Sequence, residues 1–147
     1  MMTMMTEETL ALEPLAVAKE NIIHLPLGLL GFEKIKKYVL LSNPEEEPFH
    51  WLQVLDDPSL AFVVVPPFAV VPDYRPDLTP EDVEFLGLTA PADALLYNIV
   101  TLRGPKGATV NLKGPIVLNR FSLRGRQIVL ANAADYSLHH PLPLLNS

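Results

Sequence analysis

The stretch Phe49-His50-Trp51-Leu52-Gln53-Val54-Leu55-Asp56-Asp57-Pro58-Ser59-Leu60-Ala61-Phe62 decides the fold. Its first half is rich in strand-forming residues and carries the only tryptophan of the chain. Alternation puts Phe49, Trp51, Gln53 and Leu55 on one face and His50, Leu52, Val54 and Asp56 on the other. An aspartate before proline is a favoured turn opening, so Asp56-Asp57-Pro58 reverses the chain. Leu60 to Val65 is apolar at every position, the pattern of a central strand covered on both faces. The stretch reads as a packed hairpin, with Trp51, Leu52, Leu60 and Phe62 expected in the core.

The same punctuation extends in both directions. Upstream, Asn21 to Leu25 and Lys37 to Leu41 read as strands. They are separated by the loop Pro26 to Gly31 and one expected helical turn at Phe32 to Lys36. Downstream, Thr79-Pro80-Glu81-Asp82 reads as a helix start: a threonine cap, a proline at the first position and two acids at the positive end of the helix dipole. Gly87 ends it, which predicts one short helix near residues 80–86. Leu95 to Arg103 is a long strand, and Gly104-Pro105-Lys106-Gly107 turns the chain back. Thr109 to Lys113 returns, Gly114-Pro115 bends it at an edge or bulge, and Ile116 to Asn119 continues. Arg126 to Leu130 closes the sheet.

Fifteen prolines in 147 residues are about twice the usual share of ~5%. Spread along the chain, they leave no room for a long helix. Many short strands with Pro- and Gly-rich turns point to a barrel or a sandwich. Apolar content of 49% supports a real core in one domain. Residues 1–18 read as an N-terminal tail, 19–138 as the β domain and 139–147 as a proline-broken C-terminal tail.

The net charge of −6 opposes direct nucleic-acid binding. The chain has no cysteine, so disulfides, thiolate metal sites and cysteine nucleophiles are excluded. Met1 to Glu8 lacks the basic and apolar regions of a signal peptide, and the apolar run Leu60 to Pro72 is too short to span a membrane. These features predict a cytoplasmic protein without a membrane role; the free protein is expected to be monomeric.

No catalytic pattern emerges. His24, His50, His139 and His140 have no metal-ligand spacing, so neither a metal nor a cofactor is expected. Asp56 and Asp57, adjacent on a strand, point to opposite faces and are poorly placed to act on one bond. Arg120-Phe121-Ser122-Leu123-Arg124-Gly125-Arg126 carries three arginines in seven residues. It suits an acidic group or, more simply, a solvated hairpin tip. Asn98, Asn111, Asn119 and Gln127 interrupt strand-forming segments. Each either satisfies backbone at a bulge or turn or lines a polar groove; on one strand, Thr109, Asn111 and Lys113 share a face.

With these residues in view, the chain resembles the FliW family of bacterial flagellar assembly factors. The stretches that carry the resemblance are Leu27-Gly28-Leu29-Leu30-Gly31-Phe32-Glu33, the hairpin Phe49 to Phe62, and Thr109 to Asn119 followed by Gln127-Ile128-Val129-Leu130. Leu30 stands where the family usually has proline, and Gly114 where alanine is common. The resemblance implies a mainly β fold, a small antiparallel β-barrel-like domain. It implies a non-enzymatic regulator that binds flagellin and sequesters CsrA, a basic RNA-binding translational repressor, by partner exchange.

The exposed polar parts of these motifs are the expected contact residues: Gln53, Asp56, Asp57, Asn111, Lys113, Asn119 and Gln127. Two other functions compete with this reading. A β-barrel carrier of a small apolar ligand would need a ligand-sized cavity. A hydrolase acting through Asp56 or Asp57 would need paired carboxylates in a cleft.

Overall fold

A computed structural model describes residues 21–102 and 107–142. The expected N-terminal tail and the Gly104–Lys106 part of the expected turn lie outside these residues. Among the described residues, nine strands form one antiparallel sheet. In chain order they are β1 (Ile23–His24), β2 (Lys37–Ser42), β3 (His50–Val54), β4 (Ala61–Val65), β5 (Ala94–Leu102), β6 (Ala108–Val110), β7 (Ile116–Asn119), β8 (Gly125–Gln127) and β9 (His140–Leu142). The α-helix among the described residues is α1 (Pro80–Leu86). The mainly β, barrel-like architecture with a helix at 80–86 is the one expected from the sequence.

The sheet runs β1-β2-β3-β4-β5 and then divides. β5 is nine residues long and carries two partners. Ala94–Tyr97 pairs with β7, and Val100–Leu102 pairs with β6. β6 and β7 are separated only by Asn111–Pro115, opposite Asn98 and Ile99. The expected bend at Gly114-Pro115 is therefore a break between two partners of β5. β7 pairs onward with β8, and β6 with β9.

The sheet curls until β8 returns to β1. A parallel bridge joins His24 to Arg124, and His24 N donates to Leu123 O at 3.0 Å. Inside the curl lie Ile23, Leu25, Leu29, Tyr38, Leu52, Val54, Val64, Ile116 and Leu118, all buried. The second core lies on the other face of β4, β5 and β7. There Val65, Val100 and Val117 meet Leu86 of α1, Tyr74, Leu112, Ile128 and Leu130. Strand β4 supplies Val64 to one core and Val65 to the other, which is why its sequence is apolar on both faces.

Helix α1 forms where its signals place it. Thr79 Oγ1 accepts from Asp82 N at 3.1 Å, and Gly87 ends the helix.

Several expectations are corrected. Trp51 is half-buried and belongs to neither core; its indole N–H donates to Glu46 Oε1 at 3.1 Å. An indole needs a partner for its polar edge, and the acidic run supplies it, with Pro44–Glu46 forming a 3-10 turn. Leu60 and Phe62 pack, half-buried, against the barrel core. Phe32 to Lys36 is not helical; Phe32 N bonds to Leu29 O and Ile35 N to Phe32 O as successive turns. Strand β6 stops at Val110, so Thr109, Asn111 and Lys113 do not share a strand face. The segment read as a C-terminal tail contains β9, where Thr109 pairs with Pro141 and Val110 with His140. As an edge strand, β9 tolerates the proline that argued against it.

Candidate partner-binding surface

The polar motif residues divide by what their side chains hold. Gln53 is half-buried. Its Nε2 lies within hydrogen-bond reach of Val54 O, Asp57 O and Leu60 O at 3.1–3.3 Å, tying off the β3–β4 turn. Asp57 Oδ1 accepts from Ser59 N at 3.2 Å and Ser59 Oγ at 2.6 Å, a side-chain cap on the same turn. Asp56 is exposed beside it. The two aspartates thus differ: one is built into the turn and the other is displayed.

Asn111, Lys113 and Gln127 are brought together. Asn111 Oδ1 accepts from Lys113 N and Gly114 N, both at 3.0 Å, closing the loop that separates β6 from β7. Gln127 Nε2 donates to Gly114 O at 3.1 Å, and its Oε1 accepts from Leu30 N at 2.9 Å. Asn119 stands apart and is not exposed. It is 8% accessible; its Nδ2 donates to Leu86 O and Gly87 O, and its Oδ1 accepts from Phe121 N and Ser122 N. Asn98 is also buried, with Nδ2 donating to Asn111 O at 2.7 Å. Asparagines that interrupt a strand pattern here satisfy backbone groups.

The loop Leu27–Glu33 joins these parts. Gly28 has φ +69°, and a Cβ there would lie 2.6 Å from Glu33 Cα and Phe32 O, so only glycine lets the loop fold back so closely. Gly31 N donates to Glu33 Oε2 at 3.0 Å, and that hydrogen bond is the main cause holding the Glu33 carboxyl below its usual range. On one side Phe32 packs edge-on against Phe62 of the hairpin, with centroids 5.0 Å apart. On the other, Leu30 is bonded to Gln127. The three motif stretches, distant in sequence, thus converge on one loop.

Several exposed side chains of these stretches are apolar. Leu30 is 72% exposed and Val129 70%, and Leu27 and Phe32 are also exposed. Ile128 and Leu130 are buried on either side of exposed Val129. Sequence reasoning had picked the polar residues here and passed over Leu27, Leu30 and Val129. Leu30 carried the available signal, a leucine where a loop proline is usual.

A model of the FliW protein family matches residues 6–142. The chain belongs to the FliW family. It is 37% identical to a flagellar assembly factor FliW of Treponema denticola over 142 residues, 95% of each protein. It is 41% identical to that of Syntrophus aciditrophicus over 118 residues, 80% of this chain and 75% of the relative. It is 39% identical to that of Leptospira biflexa over 115 residues, 77% and 75%. A crystal structure of a flagellar assembly factor FliW superposes with TM-score 0.79 at 35% identity, covering 88% of this chain and 92% of that one. The FliW assignment agrees with the curled sheet, and the motif stretches that suggested the family are those that meet around Leu27–Glu33.

Among the described residues no group of histidine and carboxylate side chains is placed to hold a metal, and no helix is long and apolar enough to cross a membrane. A depression of about 420 Å³ lies between Val71, Leu112, Tyr136 and His140, outside the barrel interior, which is filled by Tyr38, Leu25, Leu29, Ile116 and Val64.

Proposed function

We propose that this FliW-family protein is a non-enzymatic cytoplasmic regulator working by partner exchange. It binds flagellin; when flagellin is exported, it is released to sequester a CsrA-like translational repressor. Membership of the FliW family across residues 6–142 carries the reading. The net charge of −6 supports it, because an acidic body is steered toward a basic RNA-binding partner. Docked beside a basic RNA groove, such a body repels phosphate even without covering the groove. The exposed leucines Leu27 and Leu30, three residues apart on one loop, suit the apolar face of an amphipathic helix. Of the motif residues, Asp56 and Lys113 make contact, whereas Gln53, Asp57, Asn111, Asn119 and Gln127 set the loops that present them.

The test is calorimetric titration against purified CsrA and, separately, flagellin, at two salt concentrations. Saturable binding to both is expected, with the CsrA affinity falling as salt rises. Binding to flagellin alone would replace the exchange mechanism with a chaperone role. Binding to neither would overturn the proposal.

A further inference from the structure

The turn between β7 and β8 is basic on an acidic protein. Arg120, Arg124 and Arg126 are three of the eleven lysines and arginines, within seven residues of a chain whose net charge is −6. The turn is also rigid. Asn119 Oδ1 accepts from Phe121 N at 2.8 Å and Ser122 N at 3.2 Å, Leu123 N donates to Asn119 O at 2.8 Å, and Leu123 packs into the barrel core. Phe121 is left 75% exposed at its tip.

The arginines are fixed at the inner end of the guanidinium. Arg120 Nε donates to Ala92 O at 2.9 Å, and Arg124 Nε donates to Phe85 O at 3.1 Å. The Arg124 guanidinium lies 4.2 Å from the Phe85 ring centroid. Arg126 is held by Asp82 at 3.0 Å. The η nitrogens of exposed Arg120 and Arg124 have no hydrogen-bond partner among the described residues. Asp82 is committed to Arg126 and Thr79; Asp93 accepts from Thr89 and Ala90 and lies near enough to Arg120 for the guanidinium charge to help hold its carboxyl down, without a hydrogen bond between them. Across the seam, exposed His24 lies beside Arg124, and its register partner, exposed Lys37, adds a positive charge.

We propose that this turn docks an acidic segment of a protein partner, one that carries an apolar side chain beside its carboxylates. Guanidinium forks take carboxylates through paired hydrogen bonds. Forks already oriented by their Nε bonds lose less freedom on binding. Phe121 supplies the apolar contact, and Arg126, already paired, supports the turn. A nucleic acid is the poorer fit, because the acidic body repels an extended polyphosphate. The inference is independent of flagellin and CsrA.

The experiment is amide NMR titration of the full chain with a synthetic twelve-residue peptide of glutamates interrupted by leucine and phenylalanine. The same peptide with glutamine for glutamate and a twelve-nucleotide oligouridylate are the comparisons. The acidic peptide is expected to shift residues 119–126 and their neighbours, with the glutamine peptide at least ~10-fold weaker. Arg120→Gln with Arg124→Gln should abolish those shifts. The matching double lysine variant, which keeps charge but loses the fork, should bind several-fold more weakly than the parent. Phe121→Ala, at a solvent-exposed position, should weaken binding without lowering the melting temperature. Shifts centred elsewhere, tighter binding of the RNA at the turn, or full affinity in the lysine variant would each overturn the proposal.

Discussion

Gly125 of β8 and Leu25, just beyond β1, meet where the barrel closes. A Cβ built on Gly125 would stand 2.9 Å from Leu25 Cδ2, 2.3 Å from Leu118 Cδ2 and 3.0 Å from Val117 O. Leu25 is fully buried and Leu118 nearly so, and the backbone carbonyl of Val117 closes the third side. The seam therefore depends on a missing side chain, with one bridge and the bond from His24 N to Leu123 O beside it.

Gly125→Ala overpacks this contact and should destabilise by about 1–3 kcal/mol. Urea unfolding checks it. A Gly125→Ala variant as stable as the parent would show that the seam is not tightly packed. A paired Leu25→Ala change, which vacates space, should recover part of the alanine penalty in a double-mutant cycle.

Asn119 joins β7 to α1. Its side chain serves two carbonyls at the end of the helix and two amides of the following turn. Asn119→Ala leaves these buried or half-buried groups short of partners, at about 1–3 kcal/mol for each one that water cannot reach. Asn119→Asp keeps the acceptor for Phe121 N and Ser122 N and loses the donor to Leu86 O and Gly87 O. It should protect the turn amides from hydrogen exchange while α1 exchanges faster. Equal exchange at both sites would mean that the side chain does not couple them.

The hairpin, the helix and the central place of β4 were legible because local chemistry decides them. Asp-Pro makes a turn, Thr-Pro-Glu-Asp starts a helix, and a strand apolar on both faces must be covered on both. What could not be read depends on partners remote in sequence. β9 forms because β6 offers it an edge, and no pattern within His140-Pro141-Leu142 announces that. Trp51 looks like core by size, yet the partner for its indole N–H comes from an acidic loop. Gln127 looks exposed and polar until Leu30, 97 residues away, is seen donating to it. Composition carried the acidic character of the surface, whereas the exposure of Leu27, Leu30 and Val129 is seen only in the folded chain.

The buried tyrosines predict an alkaline limit. Burial raises the Tyr38 and Tyr74 hydroxyls from 10.0 to about 12. Between these values the unfolded chain gives up protons that the folded chain keeps. The stabilisation is thus fully present below pH 10 and is lost as pH rises toward 12. Tyrosinate absorbance from Tyr38 and Tyr74 should appear late and together with unfolding, and burial moves Tyr97 in the same direction. A single transition for all four tyrosines with the fold intact would contradict the burial.

His50 contributes on the acid side. Burial lowers its pKa below the ordinary 6.5, and Glu47 partly opposes this. Nδ1 lies 2.6 Å from Ser42 Oγ, and the ring packs edge-on against Tyr97. The unfolded chain takes up this proton first as pH falls. Stability from the neutral ring is therefore present above 6.5 and is lost as pH drops through the lowered folded value. His50→Gln should flatten that part of the profile, with melting temperatures across weakly acidic pH as the check. An unchanged slope would assign the acid sensitivity to other groups.

Asp56 and Gln53 are three residues apart at the same turn, yet their variants should fail in different assays. Gln53→Ala removes a donor that reaches three carbonyls and should lower stability by about 1–2 kcal/mol, with partner affinity changing only as the turn loosens. Asp56 is exposed, and among the described residues no hydrogen bond or ion pair holds its carboxylate. Asp56→Asn should leave the melting temperature within about a degree, as exposed substitutions usually do, while slowing association with a basic partner at low salt. Gln127→Ala and Lys113→Gln form the matching pair on the other side of Leu27–Glu33: the first releases Leu30 N and Gly114 O, the second alters only a half-buried charge. If Asp56→Asn and Lys113→Gln bind CsrA and flagellin like the parent while Gln53→Ala and Gln127→Ala keep full stability, the division between presenting and contacting residues is wrong.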